Sequence, residues 1–163
     1  MEWYPWVVLA HVIGAFGFVF AHGVSAFVAF RIRAARTAEQ VATLMELSGS
    51  SLMLAYASLL VILVSGIAIG FMGDWWGRAW IWLSIGLLLA IATAMFLVGT
   101  KYYIQVRHAV GQTAPQDPGD ATFEPIGANE LARLLDSRRP EVLAAIGGGG
   151  LATLISLMVL KPG

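Results

Sequence analysis

Two histidines, His11 and His22, lie in a stretch of 28 residues between Glu2 and Arg31 that contains no Asp, Glu, Lys or Arg. Neutral imidazole ligates haem iron, copper or zinc through one ring nitrogen while the other donates to a nearby acceptor, and it can also relay protons. In a straight helix eleven residues turn through about 1100°, roughly 20° beyond three full turns, with a rise near 16 Å. The spacing therefore predicts one helical face carrying two imidazoles at different depths. Gly14, Ala15, Phe18, Ser25, Ala26 and Ala29 surround that stripe and are mostly small. An ionisable group at membrane depth is a functional-site hypothesis by default. Two histidines about 16 Å apart cannot share one ion, so each needs a further ligand from another helix. Met95 or Met53 could serve as a soft axial ligand, as could a histidine of a second copy.

The elements that must position these residues follow from where the few charges fall. Of 163 residues, 58% are hydrophobic and 12% charged, with net charge +0 and mean hydropathy +0.76. So little charge excludes a free-standing soluble globule of this size, and zero net charge gives no reason to expect nucleic acid as a partner. The absence of cysteine excludes disulfides, thiolate metal sites and iron–sulfur clusters. Three further charge-free intervals, of 27, 22 and 19 residues, follow Glu46, Arg78 and Glu141. A span needs about 20 predominantly apolar residues. The reading is a single all-α membrane domain over 1–163, a four-helix antiparallel bundle with spans near 5–31, 49–72, 79–104 and 141–160.

Eight of the ten basic residues fall in the segments 32–48 and 105–140 or at the span ends beside them. Arg78 and Lys161 are the exceptions. All six tryptophans lie at the opposite ends. The positive-inside rule and the headgroup preference of indole place those segments in the cytoplasm and both termini outside, in the inner membrane of a cell. The first span lacks a basic leader and is too long for a cleavable signal. Within 32–48 the apolar spacing extends span 1 or span 2 as helix, whereas 111–128 reads as an irregular loop. Asn129 can then cap a short amphipathic helix on the inner surface, with Leu131, Leu134 and Leu135 on one face. Pro140 suits the first turn of span 4. The connection 73–78 is short enough to demand a hairpin. Gly147 to Gly150 stay helical in lipid and give a smooth packing face.

Depth matching sets His22 level with Tyr56 or Ser58, with Met95 and with the span 4 glycines. It sets His11 level with Ser65 or Gly66, Ser84 or Gly86, and Ser156. His108 falls just beyond span 3, at the interface. The candidate ligands are thus His11, His22 and Met95, with Ser25, Tyr56 and Ser58 as the hydroxyls that would orient them. No catalytic residue is assigned. There is no acid inside a span and no GxSxG, HExxH, P-loop or dinucleotide fingerprint. The alternative use of each histidine is a hydrogen bond to Ser, Tyr or a carbonyl that ties helices together.

Leu9-Ala10-His11-Val12-Ile13-Gly14, His22-Gly23-Val24-Ser25 and Phe30-Arg31-Ile32-Arg33 resemble an uncharacterised family of bacterial four-helix integral membrane proteins. Ser137-Arg138-Arg139-Pro140-Glu141 and Leu157-Met158-Val159-Leu160-Lys161-Pro162 carry the resemblance to the far end of the chain. It implies the four-helix architecture. More remotely, the span 1 histidine followed by small residues is similar to the copper resistance D membrane domain and to the four-helix haem-binding protoporphyrinogen oxidase. Those families imply His11 as a metal or haem ligand. The copper-resistance pattern has Trp and paired glycines where this chain has Phe18, Phe20 and Ala21. The expected function is a non-enzymatic membrane subunit binding b-type haem through His22 or His11, for electron transfer or anchoring in a larger complex. The alternatives are a structural accessory subunit without cofactor, and copper transport. Expected partners are the lipid bilayer and other membrane subunits or a second copy.

Overall fold

The computed structural model describes residues 2–162. The described residues form five helices and no strand: α1 (Tyr4–Ala34), α2 (Ala38–Met72), α3 (Ala79–Ala109), α4 (Ala128–Leu135) and α5 (Arg139–Leu160). Four helical stretches are long and apolar enough to cross a membrane.

Local chemistry explains the ends. Pro5 and Pro140 sit in the first turns of α1 and α5, where the missing N–H costs nothing. Arg31 and Arg33 occupy the last turn of α1 and favour its negative pole. Helix α2 begins at Ala38, nine residues before the charge-free interval that follows Glu46, because Thr37 caps it. The Thr37 Oγ1 accepts the Gln40 amide at 3.2 Å, and the Gln40 side chain accepts the Arg36 amide at 2.9 Å. This Thr-x-x-Gln arrangement is a variant of the capping box. The α4 start departs from expectation: Gly127 holds the cap position without a side-chain bond, and Asn129 is already helical.

Helix α1 packs along α2, and α3 along α5, while α1 meets α5 over a shorter stretch. The short 73–78 connection joins α2 to α3, yet these two helices barely touch. The hairpin expected from loop length is therefore a covalent link and not a packed seam. The α1–α2 seam follows heptads. His11, Gly14, Phe18, Ala21, Ser25, Val28 and Ile32 alternate steps of three and four on α1. Opposite them, Ser51, Ser58 and Ser65 recur every seven residues on α2 and all three are buried. Such a repeat keeps small residues along the contact, where they let the two backbones approach closely.

Most of the large buried side chains collect at one end. Val28, Ile32, Val41, Met45, Tyr102, Val106, Leu131 and Leu135 form one cluster. Within lipid, burying leucine against leucine gains nothing over leucine against acyl chain, so small residues pack the spans. Where the helices emerge toward water, apolar burial is favourable again, and the core forms there. Helix α4 turns Leu131 and Leu135 into this core, each less than 5% exposed. It plugs the bundle end, in contrast to the leucine-down placement on a lipid surface.

At the other end the indoles gather. Trp75 Nε1 lies 3.4 Å from the Tyr4 hydroxyl, and the Lys161 ammonium sits 4.7 Å from the Trp75 ring centroid and 5.9 Å from that of Trp80.

Candidate functional site

His11 belongs to the α1–α2 seam. Its Nδ1 lies 3.1 Å from the Ile62 carbonyl oxygen and 3.0 Å from Ser65 Oγ. A carbonyl can only accept, so Nδ1 carries the proton and donates. Ser65 in turn donates to the Val61 carbonyl, which leaves its oxygen free to accept from the imidazole. Gly66 makes room for the ring, since a Cβ there would stand 3.2 Å from His11 Cε1. The Nε2 lone pair has no hydrogen-bond partner among the described residues.

His22 addresses a different helix. Its ring stacks on Phe18 with centroids 6.4 Å apart and 9° between planes, and presses onto Gly147 of α5, where a Cβ would collide with it. Its Nε2 is buried without a hydrogen-bond partner. The single shared face expected for the two imidazoles is thus not observed. In a supercoiled pair with 3.5 residues per turn, eleven residues overshoot three turns by about 50°. His11 sits in the α2 seam and His22 against α5, a separation that a rotation of this size favours.

The remaining candidates divide likewise. Ser25 donates to Ser51 at 2.8 Å, Ser51 having given its own proton to the Ser48 carbonyl at 2.8 Å. Ser58 is buried opposite Gly17, where a Cβ would lie 2.6 Å from Ser58 Oγ. Tyr56 is 64% exposed and Met53 77% exposed, both turned away from the interior. Met95 is half-buried on α3. The pairs Gly99–Leu143 and Gly150–Ile91 set it level with Gly147 and hence with His22. Among the described residues no hydrogen bond joins Met95, Tyr56 or Ser58 to either imidazole, and no group of three His, Cys, Asp or Glu is placed to hold a metal ion.

The third histidine pairs with a carboxylate. His108, in the last turn of α3, stacks on Phe123 at 3.7 Å between centroids, and its Nε2 lies 2.8 Å from Asp117 Oδ2. The same oxygen accepts the Ala114 amide at 2.6 Å. That amide first, and His108 second, hold the Asp117 carboxyl below the usual carboxylate range. The contact pins the 111–127 loop to the end of α3.

Residue typing missed the Ser51-Ser58-Ser65 repeat, although its signal is plain in the sequence as three serines seven apart within an apolar run. No family model, curated protein or solved structure matches this chain.

Proposed function

We propose that the chain is a structural, accessory membrane subunit in which both intramembrane histidines tie helices together. The observation that carries this reading is the His11 contact: a proton donor inside the membrane, bound to a carbonyl and a serine of the neighbouring helix, within a seam of serines. His22 serves the α1–α5 crossing by filling the gap over Gly147. We further propose an antiparallel bundle in the cytoplasmic membrane with both termini outside. The pairs His11–Ser65 and Ser25–Ser51, the gathering of Tyr4, Trp75 and Lys161, and the eight basic residues at the other end support this arrangement. Gly148 and Gly149 on α5 are exposed with open space before them, a smooth face suited to a partner helix or a second copy. The test is purification from native membranes in mild detergent. A stable partner in fixed ratio supports the accessory role, and a solitary monomer refutes it.

One observation favours a second reading, b-type haem. The His22 Nε2 is orphaned and that of His11 keeps its lone pair, with Nδ1 donating to a carbonyl as haem-ligating histidines do. A bound haem would supply one-electron chemistry, the protein setting its ligand and dielectric. For His22 to ligate, α1 and α5 must part at Gly147. A reduced-minus-oxidised absorption spectrum of protein from haem-replete cells separates the readings: a Soret band lost in His22→Ala or His11→Ala establishes haem, and no band removes it. Copper transport draws no support from the observed placement of Met95 and the histidines.

A further inference from the structure

At the basic end, Tyr102 is 2% exposed and its hydroxyl has no hydrogen-bond partner. It follows Lys101, the first charge after the apolar run of α3, and so lies at headgroup depth. A buried hydroxyl without a partner is costly. The Arg139 guanidinium stands 5.9 Å from the ring centroid. Arg33 is already paired, with Glu141 and with Asp136 at 3.5 Å. Among the described residues neither Arg138 nor Arg139 has a carboxylate within ion-pair distance. Both are exposed and open the first turn of α5, whose positive pole adds to their charge. What the cluster lacks is an acceptor that can take the Tyr102 proton and the Arg139 donors together.

We propose that this place binds the phosphate of an anionic lipid headgroup, held by Arg139 and the Tyr102 hydroxyl with Arg138 at its rim. Arg139, lying over the ring from the solvent side, moves aside to admit the phosphate and then closes on it. Arg33, fixed by its two carboxylates, supplies field without having to move.

Native mass spectrometry of the detergent-purified full chain tests this, with phosphatidylglycerol and phosphatidylcholine of identical chains as probes. The expected result is preferential retention of phosphatidylglycerol. Tyr102→Phe, which keeps the ring in the core, and Arg139→Gln, at an exposed position, each reduce that preference about tenfold, the worth of one charge-assisted hydrogen bond. Arg78→Gln, at the opposite end, leaves it intact. Equal retention of the two lipids, or an unchanged preference in both variants, overturns the proposal. Displacement of the lipid by millimolar inorganic phosphate assigns the site to free phosphate and overturns the headgroup.

Discussion

Replacing Gly147 by alanine sets a methyl group where the His22 imidazole already stands. The neighbouring Gly148→Ala meets open space. Both substitutions gain the same helix preference, about 1 kcal/mol for alanine over glycine, so this contribution cancels in the comparison. What remains is the overlap. Helix α5 must retreat from α1, or His22 must leave its stack on Phe18, and overpacking of this kind costs about 1–3 kcal/mol. Reversible unfolding by SDS titration in mixed micelles measures it. Gly147→Ala is expected to be less stable than Gly148→Ala by that amount. In a His22→Ala background the difference vanishes, because the colliding ring is gone. Equal stabilities of the two glycine variants with His22 present would refute the α1–α5 contact and the structural role assigned to His22.

Three other outcomes follow from the same contacts. Gly17→Ala places a Cβ 2.6 Å from Ser58 Oγ and should destabilise the α1–α2 pair by about 1–3 kcal/mol; Ser58→Ala should recover part of that loss in the same titration. Thr37→Ala removes the α2 cap at a cost of about 1 kcal/mol and should appear as faster hydrogen exchange at the Gln40 and Val41 amides. Asp117, whose folded carboxyl ionises more readily than a free one, anchors the 111–127 loop above the ordinary carboxylate range. Its anchoring is lost as the pH falls through the lower folded value. Proteolysis of that loop should therefore rise as the pH falls below about pH 4, the ordinary carboxylate value, and Asp117→Asn should abolish that rise.

The spans were legible because charge is so costly in lipid that its absence marks them. Helix through 32–48 was legible from its apolar spacing, which extends span 1 or span 2; the break after Ala34 and the start of α2 at Ala38 were not. The signal for that start lay in Thr37 and Gln40. Depth was readable for the site residues: His11 does meet Ser65 and Gly66, and His22 meets the α5 glycines. Direction around the helix was harder. His11 faces α2 and His22 faces α5, and Tyr56, level with the interior, faces outward. Loop length told which helices are joined and nothing of which ones pack, so the near absence of contact between α2 and α3 had no sequence signal.

A double-mutant cycle of His11→Ala and Ser65→Ala in lipid bicelles measures how strongly His11 ties α1 to α2. Hydrogen bonds within membranes average about 0.6 kcal/mol and reach about 1.7. The predicted coupling lies in that range, with the double variant less destabilised than the sum of the singles. Strict additivity, with each substitution acting as if the other residue were distant, would mean that His11 does not tie α1 to α2 through Ser65.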